Sequence, residues 1–319
     1  MYQKLVLVTC LLAFFAVVLS AYARLADAGL GCANWPACYA ENALKEKKPP
    51  QTGAASSTTG RSHTSWQWKL HSQVVQLLGL LSVAVCGIAW RKRKEWKQSP
   101  LLPTLLVGLM VFLALFGIMA FSYLSRPIIV SVHLAGGVAM LMMLVWIALQ
   151  QMPPGKIVTG ETKNWQHLSW LGVALLFSQI MLGGWVSSNF AALACTGFPF
   201  CQGPLPQPVN SLSGLNNPLS LLSDEKLIAL HQMHRAGAAI TALYLCGLAF
   251  GMMAIKNLRG IAGSILGLIV LQIALGVSNV LFGLPLLVAV LHNAVAMLLL
   301  MVLIVLSFRF HKHRTQMEA

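Results

Sequence analysis

Pro127-Ile-Ile-Val-Ser-Val-His133-Leu-Ala-Gly-Gly-Val-Ala-Met-Leu-Met-Met-Leu-Val-Trp-Ile-Ala-Leu149 contains one histidine and no other ionisable side chain. A hydrocarbon core of ~30 Å is crossed by about 20 apolar residues, so this stretch reads as a transmembrane helix. Its histidine then needs a reason to be there. Seven further stretches have the same character, near 4–23, 70–90, 102–121, 166–187, 226–253, 261–282 and 286–308, with polar or Gly/Pro-rich breaks between them. The 319 residues are 57% hydrophobic and 9% charged, with a mean hydropathy of +0.72, outside the range of soluble domains. The expected fold is an all-α membrane protein with eight transmembrane helices. Only Lys4 precedes the first stretch and no clear small-residue cleavage site follows it, so it reads as a retained helix rather than a signal peptide.

A net charge of +14 would suggest nucleic acid in a soluble chain. Here the position of the charges explains it. Lys4, Arg91-Lys92-Arg93-Lys94, Lys97, Lys156, Lys163, Lys256, Arg259, Arg309, Lys312 and Arg314 all fall on one side of an eight-helix arrangement. The short loops opposite carry Arg126 and Lys226, and a longer first loop carries Arg24, Lys45, Lys47, Lys48, Arg61 and Lys69. By the positive-inside rule both termini are cytoplasmic, and the expected partner is a lipid bilayer, not nucleic acid.

The long outer segments at about 24–69 and 188–225 share a pattern. Cys32-Ala-Asn-Trp35-Pro36-Ala-Cys38 and Cys195-Thr-Gly-Phe198-Pro199-Phe-Cys201 are both Cys-x-x-aromatic-Pro-x-Cys, 163 residues apart. The same offset carries His71 onto His234, while His133 and His292 are 159 apart and are followed by similar sequence. Two four-helix halves, 1–150 and 151–319, related by duplication account for these matches. Four helices per half gives both halves the same topology in the membrane.

Seven cysteines divide into these two outer pairs and Cys10, Cys86 and Cys246 within helices. If the outer segments face the oxidising side of a bacterial inner membrane, Cys32–Cys38 and Cys195–Cys201 are expected as disulfides. Structural staples, a reducible pair that relays or senses electrons, and a zinc site are the alternatives; the last is weak without nearby histidines. The helix cysteines read as small apolar packers.

Of nine histidines, His311 and His313 lie in the basic tail, His167 at the cytoplasmic boundary and His63 in the first outer loop, all expected to be solvated or interfacial. His71, His133, His234 and His292 instead lie near the outer ends of even-numbered helices, at similar depth. Paired imidazoles from facing helices can hold a heme iron from both sides; interhelical hydrogen bonding is the plainer alternative. Gly136, Gly137, Gly183, Gly184 and Gly237 nearby would admit a flat macrocycle. Arg235 could pair with a heme propionate or reach lipid phosphate, and His231, one turn before His234, could belong to the same site or be structural.

The stretch Tyr22-Ala-Arg24-Leu-Ala-Asp27-Ala-Gly29-Leu-Gly31-Cys32 with Trp35-Pro36 and Cys38 resembles the first-loop signature of the heme A synthase family. So do Pro127 to Gly137, Gly183-Gly184-Trp185-Val186-Ser187-Ser188-Asn189, His231-x-x-His234-Arg235, Gln272, Gly276, Ser278-Asn279 and Leu284-Pro285 leading to His292-Asn293. The resemblance covers nearly the whole chain. It implies an oxidoreductase of the bacterial plasma membrane that converts the C8 methyl of heme O to a formyl group. It also implies a resident heme b on His234 and His292, with Arg235 beside it, and substrate heme between the catalytic pair His71 and His133. Heme O synthase and cytochrome oxidase are the implied partners; no motif specifies the electron donor, and homo-oligomerisation stays open.

One departure stands out. The family's Glu-x-x-His-Arg on the second helix reads Trp68-Lys69-Leu70-His71-Ser72, and no carboxylate occurs between Glu46 and Glu95. The N-terminal site is therefore expected to be altered or inactive. The competing reading is a diheme electron-transfer or heme-handling assembly protein of the same fold, favoured by Trp68 and Ser72. A transporter is disfavoured because acidic residues and broken helices at the bilayer midplane are missing.

Overall fold

The computed structural model describes residues 1–27, 66–96, 99–122, 127–152, 162–195, 197–198, 201 and 224–317. Eight long helices account for most of them: α1 Tyr2–Asp27, α2 Trp66–Trp96, α3 Leu101–Ser122, α4 Pro127–Gln150, α5 Thr162–Ser188, α6 Asp224–Met253, α7 Arg259–Leu281 and α8 Leu286–Met317. Seven are long and apolar enough to cross a membrane, and α3 contributes a shorter apolar helix over Leu101–Gly117. The chain is an all-helical integral membrane protein.

Several helices outrun their apolar stretches. α2 spans 31 residues, from Trp66 through the Arg91–Lys94 run to Trp96, where hydropathy alone marks about 70–90. Backbone hydrogen bonds must be satisfied inside the segment wherever water is scarce, and nothing obliges the helix to stop where its side chains become polar. Lys92 pairs with Glu95 at 2.5 Å and Arg93 lies over the Trp90 ring, as expected for a helix emerging at an interface. Pro127 opens α4, where its missing N–H has no helical partner to lose.

α7 and α8 are joined by a tight turn in which Gly283 (φ 65°) and Leu284 (φ 63°) both take left-handed backbone conformations. A leucine there is strained by roughly 1–2 kcal/mol. It is offset by burial against Leu25, Ala289 and Val290, and by a 2.7 Å bond from the Leu284 N–H to the Asn279 carbonyl.

α4 and α8 pack on each other at the centre. α1 packs on α2 and α4, and α3 on α4; in parallel, α5 packs on α6 and α8, and α7 on α8. α4 also meets α5, and α8 meets α1. The outward faces of the peripheral helices stay apolar, with Leu80, Leu115, Leu243, Phe250 and Val270 exposed, because lipid rather than water covers them. Polar residues buried between helices bond to their own backbone, Ser82 to the Leu78 carbonyl and Thr9 to that of Leu5, each at 2.8 Å.

Two histidines outside the four fit the expectation of a solvated or interfacial place: His167 is exposed, and half-exposed His311 packs against Trp146 with centroids 5.5 Å apart. His63 lies outside the described residues.

Candidate functional site

His71 and His133 line one cavity of about 840 Å³ between α1, α2, α3 and α4. The volume falls within the ~300–1,000 Å³ of sites that enclose cofactor-sized ligands. The lining is predominantly apolar; Arg24 and Lys69 are its cations, and none of its described lining residues is Asp or Glu. Trp68, one turn before His71, also lines the cavity and meets the His71 ring edge-on at 6.0 Å.

The wall reaches into the other helices. Gly184 and Ser188 of α5 and Asn293 and Met297 of α8 line the same space. Asn293 follows His292 directly, so α8 carries a member of the second histidine pair and a wall of the first cavity at consecutive positions. Arg24 hydrogen-bonds Ser187 Oγ, 163 residues further on in the chain.

His234 lies on α6 and His292 on α8. Both are partly buried, and each touches a glutamine amide. Gln179 Nε2 lies 2.9 Å from His234 Nδ1 and donates to the His234 carbonyl at 2.8 Å, and Gln272 Nε2 lies 3.2 Å from His292 Nε2.

Three of the four rings press against a glycine of a neighbouring helix. A Cβ on Gly183 would stand 2.9 Å from His234 Cε1, one on Gly276 would stand 3.1 Å from His292 Cε1, and one on Gly117 would stand 3.5 Å from His133 Cε1. The first two distances are tighter than ordinary carbon contacts, so a side chain at either position would have to displace the ring. Gly137 lines the cavity as anticipated. Gly136 takes up Leu113, and Gly184 combines a place in the cavity wall with close contact to Leu134.

Arg235 has partners within the chain itself. It donates to the carbonyls of Gly197 and Cys195, each at 2.9 Å, and so ties down the outer segment that the Cys195–Cys201 disulfide closes. His231 is buried and hydrogen-bonds the backbone of Ala191 in the same outer region. Cys32 and Cys38 lie outside the described residues. Cys10, Cys86 and Cys246 are free.

These residues fit heme. Among the described residues no group of three or more His, Cys, Asp or Glu could hold a bare metal ion, so each site offers iron two imidazoles and leaves the other positions to a macrocycle. Buried His133 Nδ1 and His292 Nδ1 have no hydrogen-bond partner, as do Gln272 Oε1 and Asn279 Oδ1. Such orphaned polar atoms are costly in an apolar bundle unless they serve a ligand.

The helices form an integral membrane bundle with four partly buried histidines, two of which line one apolar cavity, an arrangement suited to handling iron porphyrin. Residues 3–304 match the model of the cytochrome oxidase assembly protein family (COX15-CtaA), and the chain belongs to that family. A heme A synthase of Shewanella oneidensis is 32% identical over 96% of this chain and 96% of its own. The heme A synthase of Halalkalibacterium halodurans is 25% identical, covering 86% and 85%, and that of Rhizorhabdus wittichii 27%, covering 93% and 90%.

Gln179 and Gly117 carry no motif by themselves, and sequence reading passed over both. The signal was the repeat offset: Gly117 precedes Gly276 by the same 159 residues that separate His133 from His292.

Proposed function

We infer that this chain is a heme A synthase that oxidises the C8 methyl of heme O to a formyl group for cytochrome oxidase assembly. The observation that carries the reading is the apolar cavity holding His71 and His133, large enough for a porphyrin, in a chain whose full-length relatives are named heme A synthase.

The chain is read as two duplicated four-helix halves, 1–150 and 151–319. The paired helix contacts support this, as does burial that repeats in register: Val6, Thr9, Cys10 and Ala13 of α1 are buried, as are Ser169, Gly172, Val173 and Leu176 of α5. Heme O is the substrate at the N-terminal site, its iron bracketed by His71 and His133. Arg24 and Lys69 are the cavity's partners for the propionates, and the apolar wall excludes water from the reacting methyl. His234 and His292 are the residues that would hold the resident heme b, which supplies one-electron transfer when bound. The adjacency of His292 and Asn293 keeps the path between the sites short. Arg235 holds the Cys195–Cys201 segment beside the helix that carries His234 and would be a partner for a propionate of that heme.

Basic residues at the opposite helix ends support cytoplasmic N and C termini in a bacterial inner membrane, with both histidine pairs near the outer face. A second disulfide, Cys32–Cys38, completes the outer side. Heme O synthase is the expected supplier of substrate and an oxidase subunit the expected recipient of product.

One observation favours a second reading, a diheme electron-transfer or heme-handling protein. Trp68 occupies the cavity wall where the family's glutamate is expected, and Ser72 replaces its arginine. Spectra and heme chromatography of the purified protein decide between them: heme A or its hydroxylated precursor beside heme b supports the enzyme, and heme b alone the second reading.

A further inference from the structure

Gln179 reaches His234 because position 237, one turn beyond it on α6, is glycine: a methyl there would collide with Gln179 Oε1. A shift of 163 residues carries Gln179 onto Ala16 and Gly237 onto Val74, both buried, and Ala16 lines the first cavity. Volume is thus exchanged between corresponding helix interfaces, a long amide against glycine in one half and alanine against valine in the other. Only the second half sets an amide on its histidine at this position. Gln272 at the other ring likewise corresponds, by the 159 offset, to Leu113 in the cavity wall.

We propose that Gln179 is a positioning residue that makes the second histidine pair the retentive heme site, and that the Ala16–Val74 pair leaves the first site free to exchange its porphyrin. This rests on the assignment of His234 as an iron ligand. An imidazole that binds iron through Nε2 carries its proton on Nδ1, and a partner at Nδ1 fixes the ring and raises its basicity. Amide oxygen and nitrogen are interchangeable in such a contact, so the Gln179 side chain, turned end for end, accepts that proton through Oε1. The turn gives up the bond that Gln179 Nε2 donates to the His234 carbonyl at 2.8 Å in exchange for the one to the ring. A substrate site has the opposite need, since a ring held equally firmly would retard release of the product.

The test uses the full-length protein purified in detergent with its heme. Gln179→Leu removes the amide at similar volume. The double variant Gln179→Ala with Gly237→Val copies the Ala16–Val74 packing and keeps the test available should Gln179→Leu fold poorly. Heme transfer to excess apomyoglobin and a redox titration are read for each. Both variants are expected to lose heme roughly 10–100-fold faster, with a midpoint shifted positive because the ligand is less basic, and Gln179→Glu to restore retention with a negative shift. Unchanged loss rate and midpoint in both variants, while His234→Ala loses the heme, overturns the role of Gln179 and leaves the site assignment standing. Retention of the same heme by His234→Ala overturns the site assignment and the proposal with it.

Discussion

Trp68 stands edge-on to His71, with ring centroids 6.0 Å apart and planes at 82°. An indole therefore occupies the cavity wall one helical turn from the imidazole proposed to hold the substrate, where the family pattern carries an acid. It accepts no proton. Trp68→Glu with Ser72→Arg is expected to raise formyl-heme production several-fold in cells that supply heme O. Equal conversion by the unaltered chain and a relative carrying the glutamate would show that this protein does without the acid.

The two histidine pairs should separate by mutation. His234→Ala or His292→Ala is expected to remove the stably bound low-spin heme, whereas His71→Ala leaves it in place and abolishes conversion of heme O. Reduced-minus-oxidised spectra of the purified variants read this directly. Bleaching by His71→Ala with retention in His292→Ala would reverse the assignment of resident and substrate sites.

The glycines beside the rings rank themselves. A Cβ at 183 meets His234 at 2.9 Å, at 276 meets His292 at 3.1 Å, and at 117 meets His133 at 3.5 Å. Overpacking costs about 1–3 kcal/mol where the neighbour cannot yield. Heme content should accordingly fall most in Gly183→Ala, less in Gly276→Ala and hardly at all in Gly117→Ala. Full heme content in Gly183→Ala would mean that the ring moves aside freely.

Much of this was legible in the sequence because its two strongest signals are physical requirements. Apolar length marked every helix, and duplicated spacing paired His71 with His133 and His234 with His292. Helix ends were less legible, since the Arg91–Lys94 run continues a helix that hydropathy had already closed. The backbone carbonyls that Arg235 meets were not legible, because they come from 38 and 40 residues earlier in the chain. Gln179 was invisible: a single glutamine in an apolar helix gives no hint of which ring it meets, and its meaning appears only when Gly237 is seen to make room for it.

Arg235 also predicts how the outer segment behaves. Hydrogen bonds from a charged group contribute about 1.5–3 kcal/mol each, so Arg235→Ala should loosen the span between Cys195 and Cys201. Cys195–Cys201 is then expected to be reduced faster by an added thiol, and limited proteolysis to cut there first. In the unaltered, non-reduced and denatured protein, thiol labelling should find only Cys10, Cys86 and Cys246. Five reactive cysteines would rule out Cys32–Cys38.

The central claim is conversion of heme O at the His71–His133 cavity. Its most direct test expresses the chain in cells that make heme O but have no heme A synthase of their own, with chromatography of extracted hemes. The account predicts heme A or its hydroxylated precursor from the unaltered chain, and only heme O and heme b from His71→Ala or His133→Ala. Heme O and heme b alone from the unaltered chain, with both histidine pairs intact and the protein present in the membrane, would contradict it.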